Sequence, residues 1–262
     1  MRRLTGWLWR NAPPPEPAPL RRRIDLGEKA PGFPIYAIGD VHGCLDHLLR
    51  AEERIAADIR ATGRRGPVIF LGDYVDRGPA SAQVIDHLIA PSPYGLKRVC
   101  LCGNHDDIFS AFIPDPDRHL EWLALGGEQT LMSYGIDIHH VGIRPKGRNG
   151  KLKEMLAHAV PQAHRDFLLN LPVSLKIGSL LFVHAGIRPG VALNRQDNED
   201  MIWIREPFLT EGPRLPSLLV IHGHTPSTDA SFGAQRIGID TGAFYSGKLT
   251  VLKIEDGLAS VL

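Results

Sequence analysis

Short apolar runs recur along this chain, each ending in a polar loop that contains glycine and is followed by a stretch of helical periodicity. Ile35-Tyr36-Ala37-Ile38, Val68-Ile69-Phe70-Leu71 and Arg98-Val99-Cys100-Leu101-Cys102 have strand length and β-branched content, which predicts buried strands. Between the first two, Leu45, Leu48, Leu49, Ile55 and Ile59 share one helical stripe, with Glu52, Glu53, Arg54 and Arg60 largely off it, and Gly63 suits the C-terminal cap. A second helix starts at Pro79, buries Val84, Ile85, Leu88 and Ile89, and stops before Pro91 and Pro93. Strands alternating with helices predict an α/β core of βαβ units.

From Pro114 to Pro172 the rhythm loosens into Trp122-Leu123-Ala124-Leu125-Gly126-Gly127-Glu128, a glycine-punctuated loop over 141–150, and helical stretches at 151–159 and 162–170. This region, 114–172, reads as a helical cap. Strands return at Leu180–Val183 and Leu218–Ile221, and Arg236–Asp240 with Lys248–Ile254 is expected to form a hairpin-like pair closing a sheet. No apolar run approaches the ~18 residues of a membrane span.

Residues 1–33 read as a flexible, Pro-rich, basic arm ahead of a single domain at 34–262, because the run Pro13-Pro14-Pro15-Glu16-Pro17-Ala18-Pro19 sustains neither helix nor sheet. The apolar piece Leu4–Trp9 is too short for a signal peptide. Trp7 and Trp9, helped by Arg21-Arg22-Arg23, suggest contact with a partner or a membrane interface; the other reading is a merely disordered tail.

With 43% hydrophobic and 23% charged residues in 262, a packed core is expected. Residues 1–30 carry seven basic and three acidic side chains, so a total of +1 leaves the rest slightly negative, unlike a nucleic-acid binder. Three cysteines, Cys44, Cys100 and Cys102, without framework spacing suggest a reducing compartment, hence a cytoplasmic location.

Chemistry gathers at the strand ends. The loop Gly72-Asp73-Tyr74-Val75-Asp76-Arg77-Gly78 places two carboxylates and a guanidinium where α/β sheets bind ligands. Asp73 reads as a metal ligand and Arg77 as an anion clamp, against the plainer reading of a polar turn. Asp40, His42, Asp73, Asn104, His184 and His224 each follow an apolar run. Carboxylates and imidazoles suit Mn, Fe or Zn, and one shared carboxylate lets two ions sit side by side. Singly, these histidines would be structural; as a set at strand ends they read as ligands. His47, His87, His119, His139, His140, His158 and His164 read as solvated.

The ordered blocks Gly39-Asp40-Val41-His42-Gly43, Gly72–Gly78, Gly103-Asn104-His105-Asp106, His184-Ala185-Gly186 and Gly223-His224-Thr225-Pro226 resemble the phosphoprotein phosphatase branch of the calcineurin-like metallophosphoesterases. Ile202-Trp203-Ile204-Arg205-Glu206 and Ile239-Asp240-Thr241-Gly242-Ala243 are similar to segments of its bacterial and phage-lambda-type serine/threonine phosphatases. The resemblance implies a two-sheet core flanked by helices, with the cap as an insertion. It implies Asp40, His42 and Asp73 at one divalent ion and Asp73, Asn104, His184 and His224 at another, the ions being Mn²⁺, with Fe or Zn as alternatives. A hydroxide between the ions would attack phosphorus in line. Arg77, Asn104 and Arg205 would bind phosphate, with His105 as general acid and Asp76 as its partner. Asp106 reads as structural. Related phosphodiesterases use a Gly-His-x-His ligand pair; Pro226 breaks that pattern, which leaves His222 outside the ligand set.

The implied substrate is a phosphorylated protein or a small phosphoester. The alternative is a symmetrical dinucleoside tetraphosphate hydrolase, a class that tends to carry Ala where Asp76 stands. A third reading, a non-catalytic docking module built around the arm, predicts degraded ligands.

Overall fold

The computed structural model describes residues 21–141 and 150–262. Its first half runs β1 (Arg23–Asp25), β2 (Ile35–Ile38), α1 (Leu45–Thr62), β3 (Pro67–Phe70), α2 (Ser81–Ile89), β4 (Lys97–Cys100) and α3 (Asn104–Phe112). The cap follows: two 3-10 turns at Pro116–Arg118 and Leu120–Leu125, then α4 (Gly127–Ser133), α5 (Ile138–Val141), α6 (Gly150–Ala159) and α7 (Gln162–Asn170). The second half contains β5 (Ser174–Ile177), β6 (Leu180–Val183), a 3-10 turn at Leu193–Arg195, α8 (Asn198–Trp203), α9 (Phe208–Glu211) and β7 (Leu219–His222). It ends with β8 (Ser231–Gly233), β9 (Arg236–Gly238), α10 (Ala243–Ser246), β10 (Val251–Glu255) and β11 (Leu258–Val261).

Two mixed sheets form, in the orders β11-β10-β2-β3-β4 and β1-β5-β6-β7-β9-β8. Side chains alternate across each strand, and here the alternation sorts them into two cores. Ile35, Ala37, Ile69, Leu71, Phe182 and Ile221 join one core, in which strands of both sheets meet, while Tyr36, Ile38, Val68, Phe70, Leu181 and Val183 join the other, with Leu48, Ile55, Val84 and Ile85 of α1 and α2. Both faces of the central strands are therefore dry, which is why they read as unbroken apolar runs. The parallel pairs β2–β3, β3–β4 and β6–β7 deliver their C-terminal loops to one side of the molecule. The α/β two-sheet core with a helical insertion is as expected, and α1 ends in a left-handed Gly63 (φ 69°).

Four expectations need correction. Arg236–Asp240 and Lys248–Ile254 do not pair: β9 joins β7 and β8 in one sheet, whereas β10 joins β2 and β11 in the other. Period-two patterning identifies a strand but not its neighbour. Residues 23–25, expected in the arm, instead form an edge strand parallel to β5. Arg21 and Arg23 are engaged there rather than free for a partner, Arg21 Nε donating to Asp107 at 2.7 Å and Arg23 Nη2 to the Gln196 carbonyl at 2.6 Å. The proline run, Trp7 and Trp9 lie outside the described residues. Finally, His164 is buried, with Nδ1 2.8 Å from the Tyr134 hydroxyl and Nε2 2.9 Å from Asp86. Glu52, placed off the apolar stripe of α1, is fully buried too, and receives Arg98 Nε at 2.6 Å and Nη2 at 2.7 Å.

Candidate metal centre

The loops after β2, β3, β4, β6, β7 and β9 meet at one point. They are tied by backbone bonds: His42 N–H donates to the Asp73 carbonyl at 2.8 Å, and Gly223 N–H to the His184 carbonyl at 2.7 Å. Asp106 accepts the N–H groups of Asp73 (2.7 Å), Tyr74 (2.9 Å) and Gly103 (2.9 Å), so its buried carboxylate fixes the loop that carries Asp73. Nine non-glycine residues among those described have positive φ, and five of them are His42, Asp73, Asp76, Arg77 and His224. Left-handed backbone at a non-glycine residue persists only where its surroundings over-determine it, and here it concentrates on the side chains singled out by chemistry. Two glycines are dictated by the same crowding. A Cβ on Gly103 would collide with the Asp73 carboxylate, and one on Gly223 with that of Asp40.

Two groups of buried side chains bring their ligand atoms within 4.8 Å of one another: His42, Asp73 and His105, and Asp73, His184 and His224. Asp73 belongs to both. Its Oδ2 lies 3.5 Å from His42 Nε2 and 3.4 Å from His184 Nε2, while Oδ1 accepts the His105 N–H at 3.0 Å. Asn104 Oδ1 is 2.9 Å from both His184 Nε2 and His224 Nδ1. His42 and His184 are oriented from behind, their Nδ1 atoms 2.9 Å from the carbonyls of Val75 and Leu71. Asp40 stands at the edge of the cluster, accepting the His224 N–H at 3.0 Å. His222 turns away, with its ring beside Phe208 and its Nδ1 3.0 Å from the Gly223 carbonyl.

The donor set fits two divalent cations. Burial holds His42 and His224 down to about 3, so both imidazoles are neutral, as ligands must be. Burial, then Asp240 and Asp73, push Asp40 well above the usual carboxylate range. Against burial, the surrounding His184, His105 and His42 keep Asp73 well below it. Asp40, Asp73 and Asp240 are all buried, three acids crowded around one site whose ionised forms a bound cation would favour. His224 Nε2 is buried without any hydrogen-bond partner. An orphaned imidazole nitrogen in such a pocket is the expected signature of a ligand position. The ligands are not degraded, as a pure docking module would require.

A second network adjoins the first. His105 Nδ1 lies 2.6 Å from Asp76 Oδ2, and Asp76 also accepts Trp122 Nε1–H at 2.7 Å and the Thr130 hydroxyl at 2.7 Å. Trp122 and Thr130 come from the cap, whose Gly126 carbonyl also accepts the Arg77 N–H at 3.1 Å. Arg77 Nη2 donates to His105 Nε2 at 3.1 Å, and its guanidinium lies 5.0 Å from the centre of the Phe244 ring. A guanidinium only donates, so in this arrangement Nε2 accepts and Nδ1 carries the proton toward Asp76. Arg205 is exposed, and its charge reaches the cluster from outside, disfavouring protonation of His184 and His224.

Sequence reasoning brought Asp40, His42, Asp73, Asp76, Arg77, Asn104, His105, His184 and His224 to this place. It missed Asp240, which follows β9 as Asp73 follows β3, so the strand-end rule applied there would have found it. It also missed Trp122 and Thr130, whose only signal was a tryptophan close to Gly126-Gly127 in the irregular region.

The profile of the Calcineurin-like phosphoesterase family matches residues 33–242. The chain belongs to this family. Members similar to it include the asymmetrical Bis(5'-nucleosyl)-tetraphosphatase PrpE of Anoxybacillus flavithermus, 27% identical over 82% of this chain and 88% of the relative. A symmetrical Bis(5'-nucleosyl)-tetraphosphatase of Pseudomonas putida is 34% identical over 50% of this chain and 49% of that one. Among solved folds, a crystal structure of a candidate diadenosine tetraphosphatase superposes with a TM-score of 0.60 at 19% identity, covering 92% of this chain and 97% of that one. With the His/Asp groups sharing Asp73, family membership makes this calcineurin-like phosphoesterase a metal-dependent hydrolase with a dinuclear site. No helix among the described residues is long and apolar enough to cross a membrane.

Proposed function

We propose that this chain hydrolyses dinucleoside tetraphosphates, with two Mn²⁺ ions held by Asp40, His42 and Asp73 on one side and by Asp73, Asn104, His184 and His224 on the other. The observation that carries the reading is that relatives with both cleavage patterns, 27% and 34% identical, are tetraphosphatases. When bound, the pair of ions neutralises phosphate charge and lowers the pKa of bound water. The chain's own groups do the rest. Asp73 holds both halves of the site together. Arg77 leaves His105 and offers its planar fork to the phosphate oxygens, with Asn104 and Arg205 as further donors.

His105 gives a proton from Nε2 to the leaving oxygen while Asp76 retains the proton on Nδ1. Burial works against protonation of His105, but Asp73 and Asp76 raise its pKa above the ordinary value. Protonation at Nε2 places two donors face to face with Arg77, which favours release of the guanidinium toward the phosphate.

A second reading, phosphomonoester hydrolysis on serine/threonine phosphoproteins, is favoured by one observation: the 2.6 Å His105–Asp76 contact is in place, where symmetrical tetraphosphatases tend to carry Ala. Diadenosine tetraphosphate and a phosphothreonine peptide, each supplied with Mn²⁺, separate the two. Faster turnover of the nucleotide is expected, ADP alone marking symmetrical cleavage and ATP with AMP asymmetrical cleavage; faster turnover of the peptide overturns the proposal.

A further inference from the structure

Aromatic rings stand on both sides of the metal centre. Phe244 lies edge-on to His42, with ring centres 5.6 Å apart, and Tyr245 packs edge-on against Phe244 at 4.9 Å. On the other side, Trp203 approaches His224 at 6.1 Å. All three side chains are exposed. Isolated exposed aromatics need no explanation, but a set gathered around a polar site does. His42 and His224 belong to the two different ligand groups that share Asp73, so the rings bracket the centre rather than line one wall.

Each side is also held in position. The turn Ala243–Ser246 is closed at both ends by left-handed glycines, Gly242 and Gly247, and the Tyr245 ring rests where a Cβ on Gly242 would be. Trp203 is the last residue of α8, whose N-terminus is capped by the Asp197 side chain. Exposed rings beside a phosphate-binding centre suit flat, π-faced groups, and nucleobases stack on such rings irrespective of sequence. The face of Phe244 nearest Arg77 is covered by the guanidinium, and it is uncovered when Arg77 moves to phosphate.

We propose that Trp203 on one side and Phe244 with Tyr245 on the other form an aromatic clamp that stacks the two nucleobases of a dinucleoside polyphosphate, stretching its phosphate chain across the metal centre. The inference rests on the tetraphosphatase reading and adds the residues that select a nucleotide over a base-free phosphate ester. It assigns Trp203 and Tyr245 to substrate choice and leaves bond cleavage to the loops beneath.

The test compares KM for diadenosine tetraphosphate with KM for inorganic tripolyphosphate in the full-length, Mn²⁺-loaded protein. Trp203→Ala and Tyr245→Ala are each expected to raise the ratio of the two KM values by roughly 5- to 100-fold, the range of single-base stacking. Trp203→Phe and Tyr245→Phe, which keep a ring, are expected to recover most of it. Metal content, measured on the same samples, is expected to stay at the wild-type value. Equal losses on both substrates, or an unchanged ratio, overturn the clamp. If the wild-type protein cleaves tripolyphosphate or a phosphothreonine peptide but not the dinucleotide, the tetraphosphatase reading fails and the clamp falls with it. Cleavage of the dinucleotide with unaltered ratios in the variants removes the clamp alone.

Discussion

Two buried acidic centres in this molecule are built in opposite ways. Glu52 on α1 is fully buried, and its carboxylate meets Arg98 through two bonds of 2.6 and 2.7 Å, with His87 Nε2 2.8 Å away. Arg98 also donates to the carbonyls of His87 and Ala90, so one ion pair joins β4, α1 and the end of α2. Asp40, Asp73 and Asp240 are as deeply buried, yet what surrounds them is imidazoles, an amide and one another, with the Arg77 guanidinium acting on Asp40 and Asp240 without pairing with either. Where the fold needs a buried charge for architecture, it supplies the counter-charge itself. At the strand ends no carboxylate has a dedicated ion-pair partner of this kind, which leaves room for a cation from outside. A buried pair broken on one side leaves a charge stranded, whereas the ligand carboxylates have no such dedicated partner to strand.

That contrast can be broken most directly at Asp73. Asp73→Asn is expected to lose both ions, measured by metal analysis, and on the order of 10³-fold or more in turnover. Added Mn²⁺ should raise the wild-type melting temperature and leave the variant's unchanged, since only a protein that binds the ion gains stability from it. Glu52→Ala is expected to do the reverse. It should cost about 3–5 kcal/mol in chemical denaturation, with metal content per folded molecule unaltered.

Smaller effects sharpen the picture. Trp122→Phe removes one of the hydrogen bonds that hold Asp76, and roughly a tenfold fall in kcat with both ions retained is expected, from the ~1–3 kcal/mol that a bond to a charged group contributes. The smallest effect is in acid. Although burial opposes it, hydrogen bonding from His87 and Arg98 holds Glu52 below its ordinary pKa. Its contribution is therefore complete above the unfolded-state pKa and is lost as pH falls through the lower folded value. Denaturation midpoints followed from neutral pH into acid should decline in the wild type and decline less steeply in Glu52→Gln.

The same contrast explains how much could be read from the chain. The metal loops were legible because each polar ligand interrupts an apolar strand that alone would give it no reason to be there, as at Asp73 after Phe70-Leu71 or His184 after Phe182-Val183. Helix α1 was legible from its stripe and Gly63. Glu52 was not, because a single acid off an apolar stripe reads as solvated, and its partner Arg98 lies 46 residues away. Trp122 and Thr130 were hidden in the same way: each bonds Asp76 across 46 and 54 residues of chain, with no local pattern linking them. The edge strand at 23–25 has three residues, too few for any periodicity, and its partner begins at Ser174. Strand pairing failed at β9 and β10 because nothing in either segment names its partner, and the two belong to different sheets.

The amino-acid sequence by itself determined the central strands β2, β3, β4, β6 and β7 and which ligand types follow them, since backbone periodicity and side-chain chemistry are local properties. Only the tertiary structure decided which strands become neighbours, that Asp240 joins Asp40, that the cap clamps Asp76, and that Phe244 comes to lie beside His42 and Trp203 beside His224. Those choices depend on packing and hydrogen bonding between residues far apart in the chain, and no local pattern encodes them.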